Sequence, residues 1–185
     1  LSRHNGTSVQ IWDTGAPGWT TTLTSGDPID TSNINTATRP YMAVDSSDLL
    51  YISFLKHNGT HYHVFLSRYD GTNVVAWDTG APGWTTTLSS GDPIDNSGMN
   101  TASFTAVATI GEAGGIVATP SGQIYVGFGQ HDGTRFHVMM SRYDGTTVMI
   151  WDNGATSWTT TLTSGDAIDT TSANGGTQPN IIVNS

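Results

Sequence analysis

One motif recurs three times along the chain. Ser2-Arg3-His4-Asn5-Gly6-Thr7, Ser67-Arg68-Tyr69-Asp70-Gly71-Thr72 and Ser141-Arg142-Tyr143-Asp144-Gly145-Thr146 are its copies, 65 and 74 residues apart. Each runs on to a Trp-Asp pair (Trp12-Asp13, Trp77-Asp78, Trp151-Asp152). Each then reaches a second Trp (Trp19, Trp84, Trp158) and a Ser-Gly-Asp-x-Ile-Asp segment. A Trp-, Gly- and Thr-rich repeat of this length predicts an array of small sheets. It also constrains function. A residue present in every copy builds the repeat more readily than it performs chemistry at a single site.

Local signals agree on strands. Asn-Gly and Asp-Gly between β-rich runs mark hairpins, because both residues accept positive φ. Five of the chain's Asx-Gly pairs, at Asn5, Asn58, Asp70, Asp132 and Asp144, are read this way. They predict a meander of four strands: Tyr41–Asp45, Leu49–His57, Thr60–Tyr69 and Asn73–Trp77. The next copy gives Ile116–Thr119, Gln123–His131, Thr134–Tyr143 and Thr147–Trp151. No long stretch has helical periodicity. In the third strand Tyr62, Val64 and Leu66 oppose His63 and Phe65. Both faces are partly apolar, which predicts a sheet covered on both sides.

The expected fold is all-β: a β-propeller-like array of four-stranded antiparallel blades in one repeat domain. Its three repeats span about 1–65, 66–139 and 140–185. The second strand occurs only twice, so the first and last blade share a sheet lacking that strand. Three blades are fewer than a closed ring needs. The expectation is a segment of a longer protein or a homo-oligomer in which several chains complete a ring. The middle repeat carries nine extra residues within Phe104–Gly114, read as a tolerated surface loop.

A net charge of −9 argues against nucleic acid, whose phosphates demand a basic surface. It also disfavours anionic membranes, and no apolar run approaches the roughly 20 residues of a membrane helix. Without cysteine there are no disulfides or thiolate metal sites. Low Lys and abundant Thr, Ser and Gly suit an extracellular or surface-exposed protein.

Several residues invite a functional reading. His57, His61 and His63 suggest a metal. A two-residue turn at Asn58-Gly59, however, sets Lys56 opposite His61 and His57 on the other face. His63 recurs as His137, which favours packed, hydrogen-bonded histidines, and no metal site or cofactor is expected. Arg3, Arg68 and Arg142 invite comparison with the arginine clamps of sialidases. Their equivalent positions instead favour structural pairing with Asp70 or Asp144. The pairs Asp27/Asp30, Asp92/Asp95 and Asp166/Asp169 read as turn and cap residues, and two Asp three apart are a weak calcium signal. Asn5-Gly6-Thr7 and Asn58-Gly59-Thr60 match the glycosylation sequon, but the turn alone accounts for them. Trp12, Trp77 and Trp151 are expected in the core.

Trp19, Trp84 and Trp158 follow a loop that can present an indole ring. Aromatic faces stack on sugars while carboxylates accept hydroxyl hydrogen bonds. The candidate ligand-binding set is therefore Trp19, Trp84 and Trp158 with Asp27, Asp92 and Asp166.

The Trp-Asp-x-Gly-x-x-x-Trp-Thr pattern resembles repeat lectins built as β-propellers, some of which assemble a ring from several short chains. The resemblance implies glycan binding at sites between blades, several per ring, without a cofactor and without catalysis. The expected function is a multivalent carbohydrate-binding or adhesion module. The alternatives are a structural or receptor-binding part of a surface or viral appendage, and a fragment of a sialidase-like or other glycoside-processing propeller.

Overall fold

The computed structural model describes residues 1–13, 15–16, 18–25, 37–96, 98–99, 113–168 and 181. Asp27, Asp30, Asp169 and most of the inserted loop lie outside the described residues. The described chain is mostly β and forms three antiparallel sheets. The first holds β1 (Ser2–His4), β2 (Val9–Asp13) and β3 (Gly18–Thr20). The second holds β4 (Ala37–Val44), β5 (Leu50–His57), β6 (Tyr62–Tyr69), β7 (Val74–Asp78) and β8 (Gly83–Thr85). The third repeats this order with β9 (Ala113–Ala118), β10 (Ile124–His131), β11 (Phe136–Tyr143), β12 (Val148–Asp152) and β13 (Ser157–Thr159). All three are meanders, and among the described residues they close no ring.

Four strands per unit was the expectation; the second and third sheets have five. The extra strand is the Gly/Ser-Trp-Thr segment. It pairs so that the two tryptophans of a unit stand directly opposite: Trp12 with Trp19, Trp77 with Trp84, Trp151 with Trp158. Three residues are too short to show alternation, so cross-strand indole contact reveals this strand where periodicity does not.

The hairpins form where Asn-Gly and Asp-Gly place them, but the two-residue turn is replaced by a four-residue loop. His57 pairs with Tyr62, and Lys56 stands opposite His63, not His61. The loop closes through Asn58 N–H to the His61 carbonyl, 2.9 Å. Asn58 Oδ1 meanwhile accepts from the amides of Thr60 and His61, at 2.9 and 2.8 Å. Asp70, Asp132 and Asp144 do the same. A two-residue type I′ turn would need positive φ at both residues and leave these amides to water. Here only the glycine is left-handed, with φ near +100° at Gly59, Gly133 and Gly145.

The sheets pack face to face. Tyr51, Leu55, Val64, Leu66, Trp77 and Ile94 of the second unit share a core with Ile124, Val126, Phe128, Met139, Tyr143, Val148 and Ile150 of the third. The opposite face of the second sheet, Ile52, Phe54 and Phe65, packs with Leu1 and Leu50. Both faces of β5 and β6 are covered, as their two-sided apolar pattern required.

After each fifth strand comes a one-turn 3-10 helix, Leu88–Ser90 in the second unit and Leu162–Ser164 in the third. The chain then returns along the sheet. Asp92 N–H donates to the Trp77 carbonyl and Ile94 N–H to the Val64 carbonyl. Asp166 and Ile168 repeat this on Trp151 and Val138. The return passes so close that a Cβ on Gly91 would lie 2.8 Å from Cβ of Ala76, which explains glycine in Ser-Gly-Asp.

Candidate functional site

The second tryptophan of each unit lies in an aromatic clasp. The Trp84 ring stands edge-on to Trp77 at 5.4 Å and to Tyr143 of the third sheet at 5.3 Å. Its Nε1 donates to Tyr143 Oη at 3.0 Å, and that hydroxyl donates to the Gly145 carbonyl at 2.7 Å. Trp19 does the same to Tyr69 of the second sheet, at 2.7 Å. Trp19 and Trp84 in one sheet therefore each reach a tyrosine in the next with their one donor, whereas the buried Nε1 of Trp12 and Trp77 has no acceptor among the described residues.

The arginines complete the clasp. Cζ of Arg3, Arg68 and Arg142 lies 4.3, 4.6 and 4.6 Å from the ring centroids of Trp19, Trp84 and Trp158. Their expected structural role stands, but the partner differs. A guanidinium beside an indole gains from the ring quadrupole and keeps its stem packed. Asp70 and Asp144 are held by their own loops. The backbone amides of Asn73 and Thr147 are the main cause of their lowered pKa values, and the Arg68 and Arg142 charges add only a smaller effect.

Trp12 and Trp77 are buried core residues, whereas Trp151 is partly buried. Trp19, Trp84 and Trp158 are partly buried, so each keeps some contact with solvent beside its arginine.

Asp92 and Asp166 of the candidate set serve the loop between the two tryptophans. Asp92 Oδ2 accepts from Thr79 N, Thr79 Oγ1 and Gly80 N at 3.0, 2.7 and 3.2 Å. Asp166 Oδ2 accepts from Gly154 N at 3.3 Å. Trp84 and Asp92 thus fix the same loop from different sides: the ring goes into the clasp, the carboxylate onto the turn.

Asp92 also lines a cleft of about 330 Å³ together with Thr79, Pro93 and Asp95 of the second unit and Thr160, Leu162 and Thr163 of the third. Trp84 is not among its lining residues. The cleft lies where the return segment of one sheet meets the fifth strand and 3-10 turn of the next. Its walls are hydroxyls, carboxylates, a proline ring and a leucine.

The floor of this region is a buried polar network. Asp95, 1% exposed, receives Val64 N–H at 3.3 Å and the Gln130 side-chain amide at 3.4 Å, and both its oxygens lie 3.2 Å from His63 Nδ1. Burial disfavours the charged form of His63, but the hydrogen bond and charge of Asp95 outweigh this and raise its pKa. Gln130 of β10 in turn receives Asn96 N–H, and Asn96 Nδ2 donates to the Gly165 carbonyl. Three segments of two sheets are tied through one carboxylate. His63 and His137 are hydrogen-bonded packing residues, as their repetition suggested.

Sequence reasoning did not find the His63–Asp95 pair, the tyrosine acceptors or the wall contributed by Thr160, Leu162 and Thr163. Repetition carried a signal for two of these: Tyr69 and Tyr143 sit in the recurring motif, and Asp95 follows Asp92 at a fixed interval. The third wall depends on how one sheet sits against the next, which local pattern does not encode. Compared with family models, curated proteins and solved structures, the chain matches none.

Proposed function

We propose that this chain is part of a propeller-like array that binds neutral saccharides at clefts between neighbouring sheets. The cleft between the second and third sheets carries this reading. Its lining combines three threonine hydroxyls and the Asp92 carboxylate with the small apolar surfaces of Pro93 and Leu162. That mixture suits a ligand with hydroxyls on its rim and C–H groups on its faces. The lining holds no cation, and the net charge of −9 further disfavours an anionic ligand. In this reading Asp92 and its repeat equivalents Asp27 and Asp166 contact ligand. Trp19, Trp84 and Trp158 set the loop geometry and offer what ring surface their arginines leave. Equivalent clefts, each weak, gain strength through repetition.

The test is a glycan array on the full chain, followed by calorimetric titration of any hit. Thr163 is exposed and on the cleft wall, so Thr163→Lys fills the cleft without touching the core. The expected result is at least a tenfold loss of affinity with an unchanged melting temperature. An array with no saccharide bound above background overturns the proposal.

The clasp favours a second reading. Arginine, tryptophan and tyrosine of the repeat are engaged in packing sheet on sheet. That is what a scaffold in a surface appendage needs, and an empty array would leave this reading in place.

A further inference from the structure

Asn58-Gly59 is set apart from the other hairpin loops by what surrounds it. Its side-chain carbonyl is held by two amides, Thr60 N–H and His61 N–H. The Gly59 N–H points to His57 Nδ1 at 3.1 Å. The Asn58 Nδ2 lies 3.0 Å from His63 Nε2. At the equivalent loop of the third sheet, Gly133 N–H meets His131 Nδ1 at 2.9 Å in the same way. There, however, the turn residue is Asp132, and its Oδ2 lies 2.9 Å from His137 Nε2. The second sheet carries an amide where the third carries the acid, with the same hydrogen bonds within the loop.

We propose that Asn58 is a self-modifying site: the loop converts its side-chain amide to a carboxylate, which then pairs with His63. Three requirements of that reaction are met in this loop. The Gly59 nitrogen is the nucleophile, and His57 is placed to take its proton as it attacks Cγ of Asn58. Negative charge develops on Oδ1, between the two amide donors. The Cγ–Nδ2 bond then breaks, and the nitrogen leaves as ammonia with the Nε2 proton of His63 in its charged form, which Asp95 favours and which His63 recovers from solvent. Solvent water then adds to Cγ of the succinimide and breaks its new bond to the Gly59 nitrogen, which regains a proton. The peptide bond is kept and the water oxygen ends in the side-chain carboxylate, whereas attack at the backbone carbonyl would give the β-linked isomer that the same peptide mapping resolves. Gly59 has no Cβ to block the approach, and Asn58 is exposed to the water the second step needs.

The product has a prepared partner. An Asp at position 58 would accept from His63 Nε2 as Asp132 does from His137, while Asp95 accepts from Nδ1. Such a histidine lies between two carboxylates and is held charged. The hairpin would change from a neutral contact to an ion pair without a change of fold.

Asn5-Gly6 is the internal control. Asn5 makes the same two loop hydrogen bonds, to Thr7 and Ser8 N–H. The residue five positions on, however, is Gln10, where Asn58 has His63. The experiment is prolonged incubation of the full chain at neutral pH, with peptide mapping by mass spectrometry at both asparagines, folded and in denaturant. The expected result is conversion at Asn58 several-fold faster than at Asn5, faster in the folded chain than in the unfolded one, and slowed several-fold by His57→Gln. Should that variant misfold, the folded-against-unfolded comparison in the native sequence decides alone. Protection of Asn58 by folding, or a rate equal to that of Asn5, overturns the proposal.

Discussion

Trp84 and Trp158 occupy the same place in two copies of one motif, yet they live in different surroundings. Trp84 is touched by Trp77 and Tyr51 of its own sheet and by Tyr143 of the next, to which it donates. Among the described residues Trp158 meets Trp151, Tyr125 and Arg142, all from its own sheet. Their partners follow suit. Trp77 is 1% exposed, whereas Trp151 is partly buried and sends its Nε1 to Asn153 at 2.9 Å. The two copies differ little in sequence here, so the difference comes from what lies alongside. The repeat encodes a half-made core, and the next sheet makes the other half.

The largest test of this contrast is truncation of the two rings. Trp84→Ala is expected to cost about 3 kcal/mol, the lower part of the range for core tryptophans, because the ring is only partly buried. Trp158→Ala should cost roughly 1 kcal/mol, near the worth of its aromatic pair alone. Denaturant titration of both variants measures the gap. Equal losses would mean that Tyr143 and the neighbouring sheet add nothing.

A smaller effect is expected from the carboxylates. Among the described residues, Asp92 receives three hydrogen bonds in its loop and Asp166 one long one. Asp92→Ala should therefore destabilise by roughly 1–2 kcal/mol and Asp166→Ala by a few tenths, on the scale of loop-capping bonds. A reversed order in thermal unfolding would break the comparison.

The smallest effect is a pH slope. The folded pKa of His63 lies above its unfolded value, so its pairing with Asp95 stabilises fully below the unfolded pKa, and that part is lost as pH rises through the folded one. His63→Gln should flatten stability between mildly acidic and mildly alkaline pH relative to the native chain. A parallel slope in both proteins would remove His63 as its source.

Much of this architecture was legible beforehand. Strand positions from β4 to β7 and β9 to β12 follow from alternation bounded by Asx-Gly pairs. Burial of Val64 and Leu66 on one face and Phe65 on the other follows from the two-sided pattern. The short strands holding Trp19, Trp84 and Trp158 were not legible, since three residues carry no period. Nor was the four-residue loop, because Asn-Gly alone does not say whether its side chain will serve the backbone. Charge alone points the arginines toward carboxylates, but the nearby acids are held by their own loops and the guanidinium groups lie over the indoles. For the site, the position of Asp92 on an inter-sheet cleft was within reach of the repeat, whereas the opposite wall required the packing.

The facing tryptophans have an optical consequence. Ring centroids within each pair are 5.6, 5.4 and 5.5 Å apart, and their planes are close to perpendicular. Indoles this close share their electronic excitation, and an asymmetric pair rotates polarised light with a paired positive and negative band that neither ring gives alone. The last strand of each sheet brings one such couple together. Circular dichroism in the strong far-ultraviolet indole band thus reads, in the unlabelled protein, whether the last strand of each sheet is docked.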